Sequence, residues 1–315
     1  MKLKSLVTTG AALVALYCSG IAFAGGEGWS SDFEAAKKQA ADSKKDLLID
    51  FTGSDWCGWC IKLNKEVFSQ EPFKAGVKDK FVLVELDYPR DKSKLSAATL
   101  KQNEELAKKY PVGGFPTILL TDAEGKPFAS TGYQTGGPEA YVKHLDELRA
   151  KKTARDESFA AAAKTSGVEK AKALVAALAA MGLEDDMIAN FYGDVAEQIK
   201  AADPKDETGY AKAAAAKGRL ATFQSELQVC AQKGDHDGAI ALVDKTLKEG
   251  GFDTEDTQQM MVTRAMIFAE QKKFDEALKA VDAAKTFAPD SETATAIDGI
   301  KAKLEAGKKA AETAK

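Results

Sequence analysis

The chain has 315 residues, 44% hydrophobic and 29% charged, a composition ordinary for a soluble globular protein with room for two or three compact units. Lys plus Arg number 44 against 48 Asp plus Glu, a net charge of −4. That balance offers no basic surplus, and no basic patch is interleaved with aromatics, which excludes DNA and RNA as partners.

Residues 1–24 read as a signal peptide. Lys2 and Lys4 form a short positive region, Leu6 to Phe23 are apolar or small, and Ala22-Phe23-Ala24 is a cleavage pattern. The segment predicts export, to the periplasm or as a secreted protein, after cleavage near Ala24. Two other readings stay open at this point. One is an uncleaved membrane anchor, although Thr8, Thr9, Gly10, Ser19 and Gly20 dilute the apolar run. The other is a lipoprotein built on Cys18, although Tyr17 before it is not small. Outside the cytoplasm disulfides persist. The mature chain keeps Cys57, Cys60 and Cys230, too few to staple a chain of this length, so one reactive pair and one buried thiol fit better than a disulfide scaffold.

Residues 25–152 alternate helix and strand. Phe33 to Lys45 is a charged, Ala-rich helix with Asp32 as its cap, and Leu47 to Phe51 is a short apolar strand. Gly53-Ser54-Asp55 breaks that strand. Cys57 to Val67 is a helix, Phe81 to Asp87 a strand, Leu95 to Tyr110 a helix and Thr117 to Leu120 a third strand. Asp122 to Gly125 turns the chain into Pro127 to Ser130, a hairpin, and Pro138 to Ala150 closes with a helix. This order predicts an α/β layered domain with a central mixed sheet flanked by helices.

Near Lys151 strand signals stop and alanine dominates, which predicts an all-α remainder. Residues 153–220 form an Ala-rich helical segment in which Leu174, Leu178, Met181, Ile188, Phe191, Tyr192, Val195 and Ile199 fall at helical spacings that need a partner surface. Residues 221–315 carry a weak internal repeat, with Gly238 to Val243 resembling Glu276 to Val281. The second copy resembles a tetratricopeptide unit that begins at Gln258, places Ala265, Phe268, Ala277 and Ala284 at its small and aromatic positions, and closes at Pro289.

The strand Leu47 to Phe51, the motif Trp56-Cys57-Gly58-Trp59-Cys60 and the later Gly114-Phe115-Pro116-Thr117 together resemble the thioredoxin superfamily. The resemblance covers about residues 29–150. It implies that Cys57 and Cys60 are the catalytic pair. A cysteine at a helix start is stabilised as thiolate by unpaired N–H groups and the helix dipole, and a second cysteine three residues on lies one turn away, placed to resolve a mixed disulfide. The resemblance further implies a cis bond before Pro116 and substrate contact by Phe115 and Pro116. Trp56 and Trp59 are expected to frame the exposed sulfur. Asp50 corresponds in kind to a buried acid that assists proton transfer, but one extra residue between it and Trp56 leaves it either displaced or capped by the turn. Asp55 is expected to be a surface turn residue, and Cys230 a buried small hydrophobe.

Other chemistries of the pair are weaker. A zinc site finds only Cys230, His144 and His236 to complete it, none suitably spaced. Haem attachment requires His where Ile61 stands. A purely structural disulfide stays open, although so small a loop stabilises little. No Gly-rich phosphate loop follows a strand, so no cofactor is expected. The functional expectation is a thiol–disulfide oxidoreductase acting on protein disulfides outside the cytoplasm, recycled by a redox partner, with a further protein partner on the helical half. The alternative is an interaction module in which the helical half recruits partners and the α/β domain is structural.

Overall fold

Five strands form one mixed sheet. The computed structural model describes residues 28–313; the expected signal segment and Cys18 lie outside the described residues. Strands β1 (Trp29–Ser30), β2 (Asp46–Thr52), β3 (Phe81–Asp87), β4 (Thr117–Thr121) and β5 (Pro127–Thr131) stand in the order β1-β3-β2-β4-β5. β3 is parallel to β1 and β2, β4 is antiparallel to β2, and β5 is antiparallel to β4. This is the α/β arrangement that the alternation of elements predicts.

Every residue of β2 is buried, so its side chains divide between two covered faces. Leu47, Ile49 and Phe51 join Val82, Val84 and Leu86 in a core with Phe33 and Ala36 of α1 (Phe33–Ser43) and Leu106 of α4 (Ala97–Lys109). Leu48 and Asp50 therefore point to the opposite face. That face carries α2 (Gly58–Leu63), a π-helical turn (Asn64–Phe68), α3 (Glu71–Val77) and α5 (Gly137–Ala162). There Phe68, Phe73 and Tyr141 pack ring against ring.

Local chemistry sets the element ends. The Asp32 carboxylate caps α1 by accepting from the Ala35 N–H at 2.9 Å. At the β4–β5 turn Gly125 has φ +83°, and a Cβ there would lie 2.7 Å from the Tyr110 hydroxyl. That hydroxyl donates to the Gly125 carbonyl at 2.6 Å. Side-chain bulk and backbone conformation thus both require glycine.

Helix α5 continues to Ala162, so the expected domain end at residue 152 falls inside it. α6 (Gly167–Met181) packs on α5, and α7 (Asp185–Ala202) packs on α6. Met187 of α7 is part of the same core as Phe33 and Leu119, with Leu183 and Phe191 packed against it. The first compact unit ends at Ala202, and the second is Asp203–Lys315. The composition change at Lys151 records a change in secondary structure, whereas the apolar stripe of α7 finds its partner surface on the α/β core.

The second unit is all helix: α8 (Tyr210–Lys233), α9 (His236–Glu249), α10 (Thr254–Glu270), α11 (Phe274–Phe287) and α12 (Glu292–Thr313). Each helix packs on the next. Ala265, Ala277 and Ala284 are fully buried between α10 and α11, where their small size lets the helices approach. The buried Gln258 amide donates to the carbonyls of Ala284 and Ala288 at 2.8 and 2.9 Å, tying α10 to the end of α11. Cys230 is half-buried against the cluster of Phe223, Val243 and Met260. No helix among the described residues is long and apolar enough to cross a membrane.

Candidate active site

The site is built where β2 ends. Gly53 to Cys57 turn the chain from strand to helix, with the Cys57 N–H donating to the Gly53 carbonyl at 2.9 Å. A Cβ on Gly53 would stand 2.5 Å from the Trp56 indole. The glycine therefore lets Trp56 fold back over the turn, where its Nε1 donates to the Tyr88 carbonyl at 2.8 Å.

Cys57 is the N-cap of α2. Its φ and ψ are −85° and 102°, outside the helix, and its Sγ accepts from the Cys60 N–H at 3.2 Å. Cys57 and Cys60 are joined as a disulfide with their Cα atoms 5.2 Å apart. The two are buried alike, at 6% and 4% exposure, so access does not distinguish them. Position does: the Cys57 sulfur sits at the positive end of α2, facing backbone N–H groups that favour a thiolate.

Two aromatic groups flank the pair. On one side Trp56 meets Phe115 edge-on at 5.6 Å between ring centres, and Phe115 meets Tyr88 at 5.5 Å. Tyr88 stacks on Phe51 of β2 at 6.2 Å, anchoring this group to the core. On the other side Trp59 packs on Tyr133 at 5.1 Å, and the Lys62 ammonium lies about equally over both rings, at 5.0 and 4.9 Å. Trp56 and Trp59 are 39% and 57% exposed, so a flat apolar surface borders the disulfide. The Phe115–Pro116 peptide bond is cis.

Asp50 keeps its place in β2 despite the extra residue in the turn. It is 5% exposed, and its Oδ1 has no hydrogen-bond partner. Burial, and then the nearby charges of Glu85 and Asp87, hold its carboxyl well above the usual range. The turn caps a different acid. The Ser54 N–H and hydroxyl both donate to the Asp87 carboxylate, at 2.9 and 2.6 Å. Asp55 accepts from the backbone N–H groups of Arg90 and Asp91, which with Lys94 pull its carboxyl down to about 2. It thus fixes the loop after β3, as a turn residue.

Glu85, Asp87, Tyr88 and Tyr133 also belong to the site, beyond the residues its motifs point to. Glu85 and Asp87 had a legible signal: acids at alternating positions of an otherwise apolar strand. Burial and the neighbouring Asp87 push the Glu85 carboxyl up to about 7. Among the described residues no group of three or more His, Cys, Asp or Glu side chains is placed to hold a metal ion.

Residues 33–149 match the thioredoxin-like domain family. Disulfide bond reductase DsbH of Chlamydia pneumoniae is 40% identical over 117 residues, covering 37% of this chain and 69% of that protein. The chain belongs to the thioredoxin-like family. Thioredoxin-related protein DsbJ of the same organism is 32% identical over 111 residues, covering 34% of this chain and 32% of its own. A solved DsbH oxidoreductase structure is 31% identical, covers 44% of this chain and 93% of its own, and has a TM-score of 0.36. The thioredoxin-like match thus takes in the cysteine pair, the cis-proline segment and the first part of α5, and it ends before α6.

Proposed function

We propose that this protein is an exported thiol–disulfide oxidoreductase that reduces protein disulfides through Cys57 and Cys60. The observation that carries the reading is the disulfide at the start of α2, with the Cys57 sulfur receiving a backbone N–H. Once the pair is reduced, that position favours the Cys57 thiolate, which attacks a substrate sulfur. The substrate disulfide opens, one of its sulfurs leaves as thiolate, and a mixed disulfide forms. Asp50 takes the proton of Cys60, whose thiolate then attacks the Cys57 sulfur. The second substrate thiolate leaves, the protein pair is oxidised, and two electrons have passed to the substrate. A redox partner restores the dithiol.

Trp56, Trp59 and Phe115 supply apolar contact around the reacting sulfur, and the backbone before Pro116 pairs with an extended substrate segment. The name of the relative DsbH, a disulfide bond reductase, favours the reducing direction. The positive start, apolar run and cleavage pattern of residues 1–24 support export. Residues 221–315 act as tetratricopeptide-like repeats that recruit a protein partner, a role supported by the buried small residues between α10 and α11.

Equilibration of the full chain with glutathione tests the direction. A reductase is expected to have a potential below about −220 mV, whereas a value above about −150 mV would make the pair an oxidant.

A further inference from the structure

The acids beneath the disulfide carry an inference that rests on the proposed exchange chemistry. Asp50 and Glu85 are Cα partners in the parallel pair of β2 and β3, so their backbones lie about 4.8 Å apart. The alternation of each strand sends both side chains to the face opposite the Phe33 core, the face covered by α2 and α5. Their surroundings differ. Asp50 is buried with one oxygen unpartnered, while Glu85 is only half-buried.

Other polar groups stand on the elements around Asp50. From β3, Asp87 is held by Ser54. From β4, the register partner of Asp50 is the apolar Ile118. From α5, the Tyr141 phenol lies within electrostatic reach of Asp50, and its hydroxyl donates to the Gly132 carbonyl at 3.0 Å. His144, one turn on, is engaged by the Thr131 hydroxyl at 2.9 Å. Glu66 of the π-helical turn accepts from the Tyr133 hydroxyl. The α2 face contributes Cys57 and Cys60. Two carboxylates thus act on Asp50, Asp87 and its register partner Glu85, and Glu85 acts the more strongly.

We propose that Glu85 is a positioning residue for proton transfer, its carboxylate strengthening the hold of Asp50 on the proton taken from Cys60. The step balances without another reactant: the Cys60 S–H bond breaks, the proton goes to the Asp50 carboxylate, and the sulfur keeps the electron pair. A negative neighbour disfavours a second negative charge at short range, so a charged Glu85 makes Asp50 a stronger base. Removing that charge weakens the base and lets Asp50 ionise at lower pH.

The test follows resolution of a mixed disulfide between Cys57 and a small aromatic thiol in the full chain, across pH. In Glu85→Gln the acidic limb of the rate profile is expected to move down by about one pH unit, with a slower plateau. Glu85→Asp is expected to restore most of the wild-type profile. A Glu85→Gln profile that superimposes on wild type, while Asp50→Asn changes it, overturns the role of Glu85 alone. If Asp50→Asn also leaves the profile unchanged, or if Cys57→Ser retains exchange, the underlying mechanism fails instead. A measurement on the unaltered oxidised protein stands apart from any folding defect. The 13C carboxyl signals of Asp50 and Glu85 are expected to titrate in two shared steps, each visible at both residues. A single independent step at Asp50 overturns the proposal.

Discussion

The hydroxyl of Tyr192 donates to the carbonyl of Pro127 at 2.6 Å, joining α7 to the first residue of β5 across 65 residues of sequence. The same hydroxyl accepts from the Arg155 guanidinium at 3.0 Å, and both side chains are buried. Together with Met187 and Phe191 against the Phe33 core, this makes α7 part of the fold that holds the cysteine pair. Tyr192→Phe is expected to destabilise the first unit by about 1–3 kcal/mol, because it leaves a buried guanidinium and a carbonyl short of a partner. The three tryptophans of the chain, Trp29, Trp56 and Trp59, all lie in this unit, so denaturant unfolding followed by tryptophan fluorescence reads it directly.

Truncation tests the same packing on a larger scale. A fragment of residues 25–202 is expected to unfold cooperatively and keep exchange activity. A fragment of residues 25–152 loses α6 and α7, exposes Leu119 and Tyr110 beneath them, and is expected to be less stable by several kcal/mol. Equal fluorescence midpoints for the two fragments would show that α7 contributes nothing to the core.

Stability is expected to fall as pH rises through the titration of the buried acids. The Asp50 and Glu85 carboxyls are both raised in the folded protein, Glu85 to about 7. The folded state therefore binds more protons than the unfolded state between the ordinary carboxylate range and about pH 7. Their contribution is fully present below that range and is lost on the way to neutrality. Asp50→Asn removes the titrating acid, so it is expected to raise the stability of the oxidised protein more at pH 7 than at pH 4. Fluorescence-monitored unfolding of the two proteins at both pH values checks the sign.

Much of this was legible in the sequence. Strand β3 and the hairpin follow from apolar runs bounded by turn residues, and Asp32 caps α1 where its position predicts. Cys57, Cys60, Trp56 and Phe115 are brought together because a strand, a turn and a helix start meet at one end of the sheet. Other features depend on packing that no local pattern encodes. β1 has only two residues, and its place follows from pairing with Leu83 and Val84. The adjacency of Asp50 and Glu85 requires the strand register. The displaced or capped Asp50 resolves in an unexpected way, since Ser54 in the turn reaches Asp87 and leaves the Asp50 Oδ1 without a partner.

Trp59 is the most exposed aromatic beside the disulfide, and it is held by Tyr133 and Lys62 rather than by the core. Trp59→Ala is expected to lower kcat/KM on a protein disulfide roughly 5- to 30-fold, the worth of about 1–2 kcal/mol for an aromatic contact anchor. On a small disulfide, which does not span the aromatic surface, the rate is expected to change little. Equal losses on both substrates would assign Trp59 to the chemistry of the pair instead of to substrate contact.

In the proposed exchange the Cys57 sulfur attacks and Cys60 resolves. Single-cysteine trapping tests it most directly: full-length Cys60→Ser and Cys57→Ser variants are reduced, mixed with a disulfide-bonded protein, quenched with acid and weighed by mass spectrometry. A stable mixed disulfide is expected on Cys57 in Cys60→Ser, and neither adduct nor turnover in Cys57→Ser. Accumulation of the adduct on Cys60 in the Cys57→Ser variant, with none in Cys60→Ser, would contradict it.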